Sequence, residues 1–174
     1  IVLVPLFLAI EDLSPSKAFK YGFIWGFIFY LGYIYYIAWV TVPGMLAAVL
    51  ILSLVPATAF WIYVRILPRS PGMALVFLPS YFIAWNWLFT MSDFNYPWMD
   101  IGYALGYYTP FIQAAEIGGV YLISLAILVV NVCIYVSISS KFHIKEGSRL
   151  TLRLFSVFLI AVLFMYGYWR LSGA

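Results

Sequence analysis

The residues best suited to proton chemistry in this sequence are three carboxylates, Asp93, Asp100 and Glu116. A carboxylate pair performs general acid–base work when burial or a neighbour drives the two pKa values apart. The spacing of these three does not place them on one helical face, so the competing reading is a set of solvated acids at an interface. Glu116 stands just before Gly118–Gly119, where a carboxylate in the first turn of a helix interacts favourably with the dipole. His143 is isolated in "KFHIKEG", and a metal site needs several ligands, so it reads as a solvated loop residue. Cys133 lies in an apolar run without a nearby His, Asp or Glu, which marks a packing residue rather than a nucleophile. As the single cysteine it cannot form an intrachain disulfide. No Gly-rich phosphate loop, Ser/His/Asp order or cysteine pair is present, and no cofactor or metal is expected.

The elements that must hold these residues are membrane helices. Of 174 residues, 66% are hydrophobic, 21% aromatic and only 9% charged, too little charge to cover a soluble domain. The net charge of +3 is too small to suggest a nucleic-acid partner. Five apolar stretches, at 18–40, 44–66, 72–91, 118–139 and 150–171, are each about 20 residues long, the length a spanning helix requires. Breaks fall at Pro43–Gly44, Pro68, Pro71–Gly72, Gly118–Gly119 and Gly147, while Pro56 and Pro79 sit inside spans, where a kink is tolerated. The opening run Ile1–Ile10 is too short to cross about 30 Å of hydrocarbon and lacks the basic flank of a signal peptide. It reads as the tail of a helix that begins earlier, and the chain as a fragment. The expected fold is all-α: one transmembrane helical domain over 1–174 with five full spans and the end of a truncated first one.

If the spans alternate, Lys17, Lys20, Arg65, Arg69, Lys141, Lys145, Arg149 and Arg153 share one side and Arg170 alone lies on the other. The positive-inside rule makes the crowded side cytoplasmic. The loop 92–117 and the C-terminus then face outward, which in a bacterium is the periplasm. No internal repeat is convincing. "GFIWG" (Gly22, Gly26) and "GYALG" (Gly102, Gly106) fit the small-xxx-small spacing that lets helices approach, with ordinary packing as the default. Asn86 and Asn131 are expected to hydrogen-bond between helices.

Aromatic residues carry the remaining signal. "YGFIWGFIFYLGYIYYIAW" holds ten of them in one span, and those near its ends suit the membrane interface. Rings in its middle suggest a helix facing protein or a cavity for lipid head groups, with plain packing an equal alternative. The outward loop contains "NYPWMDIGYALG", in which Tyr96, Trp98 and Tyr103 are threaded among backbone breakers. Irregular backbone at membrane depth is tolerated only where protein covers it or it lines a wet cavity, so this loop is the best functional candidate.

The ordered series "YPWMDIGY" and "PFIQAAEIGGVYLISLAILVVN" resembles the membrane part of bacterial apolipoprotein N-acyltransferase. The family has a Phe-Pro-Trp loop leading to a Gly-Tyr step, then a Gln or similar residue, a Gly-Gly-Val-Tyr-like helix start and an Asn at the far end of that helix. Tyr96, Pro97, Trp98, Gly102, Tyr103, Gln113, Gly118, Gly119, Tyr121 and Asn131 occupy those positions, and "GYIYYIAW" matches an aromatic step at the outer end of an early span. The resemblance covers nearly the whole chain. It departs where the family often has Glu-Trp-Leu-Arg, since this chain reads Asn86-Trp87-Leu88-Phe89 and lacks the charged pair.

The resemblance implies a ping-pong transfer. A thiolate takes an acyl chain from a phospholipid and passes it to the α-amine of a diacylglyceryl lipoprotein. It also implies a periplasmic nitrilase-like domain with a Glu-Lys-Cys triad, expected to begin near residue 174. No catalytic residue is therefore carried over, and this chain alone is expected to be inactive. Tyr96, Pro97, Trp98, Gly102, Tyr103, Tyr36 and Trp39 become candidate lipid contacts, with Gly118, Gly119, Tyr121 and Asn131 as structural positions. Asp100 is then expected to be incidental. The implied setting is the bacterial cytoplasmic membrane, with phospholipid and lipoprotein as partners. A non-catalytic membrane scaffold for a polyprenyl-phosphate glycosyltransferase is the alternative. A transporter fits least, because the spans hold few ionisable groups and no paired broken helices.

Overall fold

A computed structural model of the protein describes residues 3–91 and 100–173. Among these residues the chain is helical: α1 (Leu3–Ile10), α2 (Pro15–Tyr33), α3 (Val42–Ile66), α4 (Pro71–Thr90), α5 (Thr109–Ile112), α6 (Ala115–Ile138) and α7 (Glu146–Ser172), with short 3-10 turns at Tyr35–Trp39 and Ile101–Leu105. Four of the helices, α3, α4, α6 and α7, are long and apolar enough to cross a membrane. The expected all-α membrane fold is thus present. Within the first expected span, 18–40, the helix ends at Tyr33 and the chain tightens into the 3-10 turn. Tyr35 packs edge-on against Tyr36 and Trp39 there, with ring centroids 6.3 Å apart in each pair. Consecutive aromatics lose side-chain freedom in an α-helix, and 3-10 geometry is the usual way a helix end tightens.

The chain divides into two compact units, one of residues 9–78 and one of residues 1–8 and 79–174. The first is built on an α2–α3 hairpin. Gly22 and Gly26 are buried on α2, and a Cβ at Gly26 would lie 2.6 Å from Pro56 Cγ and 3.1 Å from Ser53 Cα. A Cβ at Gly22 would lie 2.9 Å from Ala57 Cα. The small-xxx-small spacing therefore serves backbone-to-backbone packing, as its default reading held. On α3, Val49, Ser53, Pro56, Ala57, Phe60 and Tyr63 form the buried stripe that meets these glycines, at the three- and four-residue spacing of one helix face. Thr41 caps α3 by accepting a hydrogen bond from Gly44 N at 3.3 Å.

The second unit contains α6, α7 and the described part of the loop between α4 and α6. Tyr135 on α6 is fully buried between Phe7 and Phe142, with ring centroids at 5.6 and 5.5 Å. Phe111 of α5 packs on Phe164 of α7 at 5.6 Å. Asn131, expected to hydrogen-bond between helices, accepts from Leu3 N of α1 at 3.2 Å and donates to Ile127 O at 2.8 Å. The C-terminal carbonyls of α6 are gathered by arginine. Arg149 donates to Ser137 O at 2.9 Å and to Ser139 O and Phe142 O at 3.3 Å, and Arg153 donates to Ser137 O at 3.3 Å. Cationic donors at a helix C-terminus satisfy its orphan carbonyls and complement its dipole.

Candidate functional site

The site is assembled where the loop after α4 returns to α6. Asp100 has extended backbone and opens the 3-10 turn Ile101–Leu105 as its cap, accepting from Gly102 N at 3.0 Å. Its second oxygen accepts from Asn86 Nδ2 of α4 at 3.3 Å. Ser124 of α6 donates its hydroxyl to the first oxygen. Gly102 N also lies 2.8 Å from Ser124 Oγ, so its hydrogen is shared between the hydroxyl and the carboxylate. Three elements therefore converge on one carboxyl group.

Glycine is required where the turn touches α6. A Cβ at Gly102 would lie 2.7 Å from Ser124 Oγ and 2.8 Å from both Val120 Cγ2 and Val120 O. Nothing larger fits between the turn and the helix. The start of α6 is bent to meet it: Gly118 (φ −139°, ψ 22°) and Gly119 (φ 65°, ψ −170°) interrupt the helical backbone, and regular geometry resumes at Val120. The Gly119 conformation lies in a region that is essentially glycine-only.

Asp100 is 6% exposed and is the only buried charged residue among the described residues. This overturns the solvated reading of that carboxylate. Burial pushes its pKa up, and the hydrogen bonds from Gly102 N–H and Asn86 pull in the opposite direction. Among the described residues its three partners are neutral donors, with no second carboxylate among them. Such a cluster fixes a loop. Asn86, expected to bond another helix, bonds this loop residue.

The second acid, Glu116, sits in the first turn of α6 as expected. It accepts from Tyr166 OH and is held by Arg170 Nε at 2.9 Å, both from α7. The two carboxylates are therefore committed to separate networks. Asp93, Tyr96, Pro97 and Trp98 lie outside the described residues. His143 is exposed, with a ring nitrogen 3.3 Å from Lys141 O, and Cys133 is buried. No group of three metal-ligating side chains occurs among the described residues.

Of the candidate lipid contacts, Gly102 is buried in the loop–α6 contact while Tyr103 is 47% exposed. Tyr107 and Tyr108, next along the loop, are exposed as well, Tyr107 almost completely. Gln113 is turned back locally, donating to Thr109 O at 3.1 Å. Tyr121 is half-buried on α6. Tyr36 and Trp39 belong to the 3-10 turn of the other unit, where Trp39 is 84% exposed. Sequence reasoning missed Ser124 and Tyr166. A serine inside the apolar run "LISLA" is the one signal that could have pointed to the first.

A family model described as "Apolipoprotein N-acyltransferase N-terminal domain" matches residues 1–133. The chain is 30% identical over 186 residues to the apolipoprotein N-acyltransferase of Geobacter metallireducens, an alignment covering 98% of this chain and 35% of that protein. It is 30% identical over 137 residues to that of Chromobacterium violaceum, covering 70% of this chain and 27% of the relative. With that of Chlorobaculum tepidum it shares 27% identity over 155 residues, covering 84% and 28%. The chain thus spans between 27% and 35% of the length of these curated relatives. No solved structure matches it. The family match takes in α1 to α4, the loop and most of α6, and so includes the three elements that build the Asp100 cluster, α4, the loop and α6. The chain belongs to the apolipoprotein N-acyltransferase N-terminal domain family.

Proposed function

We propose that this chain is the membrane-embedded part of an apolipoprotein N-acyltransferase. It anchors the catalytic domain at the outer face of the bacterial cytoplasmic membrane and admits phospholipid and diacylglyceryl lipoprotein from the side. The acyl chain passes to a thiolate on the catalytic domain and then to the lipoprotein α-amine. The loop 92–117 is an arm that handles lipid, with Tyr96, Pro97, Trp98 and Tyr103 as its contacts and Gly102 as its pivot on α6. Gly118, Gly119, Tyr121 and Asn131 keep α6 in place beneath it. Tyr36 and Trp39, in the 3-10 turn that follows α2, are proposed separately as interfacial lipid contacts.

The observation that carries this reading is an aromatic loop fastened at its base and open beyond it. Gly102 and Asp100 are pinned to α6, and Tyr103, Tyr107 and Tyr108 follow with rings exposed. Amphipathic rings of this kind favour the head-group region of a bilayer. The outward placement of the loop is supported by charge: if the spans alternate, eight of the nine basic residues fall on the other side. The one on the loop side, Arg170, is paired with Glu116.

The test is a transfer assay on the full-length protein in vesicles, with phospholipid as donor and a diacylglyceryl-cysteine peptide as acceptor. N-acylated peptide is the expected product, and its absence from correctly inserted protein would sink the assignment. A Y107C label, introduced after Cys133 and every other cysteine of the full-length protein have been replaced, should react with a membrane-impermeant maleimide from the periplasmic side only.

A further inference from the structure

Asp100 is a buried acid in a loop that exposes the rings of Tyr103, Tyr107 and Tyr108, and its contacts join three segments distant in sequence. A buried charge is costly, and replacing one by an apolar group is often neutral for stability. Its presence here therefore calls for a role in geometry. Every donor it meets serves to fix the turn. Asn86 fixes it to the end of α4, Ser124 fixes it to α6, and Gly102 N–H closes the turn itself. The exposed ring of Tyr103 follows one residue after this last contact.

We propose that Asp100, Ser124 and Asn86 form a latch that sets the register on α6 of residues 100–108, which carry the exposed rings of Tyr103, Tyr107 and Tyr108, with Asp100 as a positioning residue for acyl transfer. The inference rests on the functional reading above and deepens it. The latch holds the arm so that an acyl chain bound along it meets the reacting thiolate in one orientation. A loosened arm still binds lipid through its apolar rings but presents the ester in many orientations, so turnover falls more than affinity does.

Hydrogen-bond accounting separates this role from a need for negative charge. In D100N the amide oxygen accepts from Asn86 Nδ2 and the amide nitrogen donates to Ser124 Oγ. The serine hydrogen then turns to Val120 O, already 3.0 Å away, and Gly102 N–H keeps its 2.8 Å contact with Ser124 Oγ. Every buried group stays paired, so the latch holds without the charge. D100A removes both acceptor oxygens at once. S124A is the milder break, leaving Asp100 with Gly102 and Asn86.

The experiment uses the full-length protein in nanodiscs, comparing wild type, D100N, D100A and S124A. D100A and S124A are expected to lower kcat by about ten- to a hundredfold, the scale of a small misplacement of reacting groups. KM for the phospholipid should stay within about twofold. D100N should stay within about threefold of wild-type turnover. Hydrogen exchange over residues 100–108 should be faster in D100A and S124A and unchanged in D100N. Wild-type kcat in both D100A and S124A overturns the proposal, as does a D100N variant as impaired as D100A. If the wild type transfers no acyl chain, the functional reading fails. The exchange data then still decide the latch: faster exchange in D100A and S124A supports it, and unchanged exchange overturns it.

Discussion

Arg170 closes on Glu116 with its Nε 3.0 and 2.9 Å from the two carboxylate oxygens, tying the last turn of α7 to the first turn of α6. Each charge also sits at the helix end where the dipole favours it, the acid at an N-terminus and the base at a C-terminus. Tyr166 adds its hydroxyl to the same carboxylate from one turn earlier on α7. An exposed pair of this kind contributes modestly and is screened by salt.

E116Q and R170Q should therefore each lower Tm slightly at low ionic strength, and the double variant should lower it by less than the sum. Thermal unfolding in detergent over a salt series checks this, and the differences should shrink as salt rises. Additive effects would show that the two residues do not act together.

The bend at the start of α6 gives a sharper contrast between two glycines. Gly119 has φ 65°, ψ −170°, so G119A should destabilise by about 1–3 kcal/mol. Gly147 lies in the first turn of α7 with open space where a Cβ would go, so G147A should be neutral or stabilising by up to about 1 kcal/mol. Denaturant or thermal unfolding of the two variants measures the difference. Equal effects would mean that the backbone at Gly119 relaxes freely.

Asp100 predicts a pH dependence of definite sign. Its folded pKa is raised above the ordinary 3.8, chiefly by burial, so the folded protein keeps a proton at pH values where the unfolded chain has released it. Stability then declines as pH rises through the window that opens at 3.8 and closes at the raised folded value. D100N has no such proton to lose. The difference in unfolding free energy between wild type and D100N should shift toward the variant as pH rises through that window. Parallel curves would contradict a buried, penalised carboxylate.

Much of the fold is legible from hydropathy and punctuation, because a spanning helix needs an unbroken apolar run and little else. The expected spans 44–66 and 118–139 fall within about three residues of α3 and of the apolar part of α6. Gly22 and Gly26 also act as their spacing suggests. Gly102 and Gly106 have the same spacing but fall on and just after a 3-10 turn, and only Gly102 makes a close approach to a helix. Spacing rules presuppose the helix they are applied to.

The Asp100 cluster could not be read from local sequence. An aspartate beside Met99 and Ile101 looks like a solvated interfacial acid until Ser124, 24 positions later, is known to return to it. Glu116 and Tyr166 stand 50 positions apart in the same way. Local patterning sets which segments are helical, while these long-range polar pairs depend on how the helices come together. Asn86 stands where the resembled family often carries the first charge of Glu-Trp-Leu-Arg. The structure gives Asn86 a hydrogen bond to Asp100.

Whether the aromatic loop handles lipid for acyl transfer is decided by W98A in the full-length protein. Acyl transfer from phospholipid to a diacylglyceryl-cysteine peptide is measured alongside membrane insertion. The expected rate is lower by about tenfold or more, with insertion unchanged. Wild-type turnover in correctly inserted W98A would contradict it.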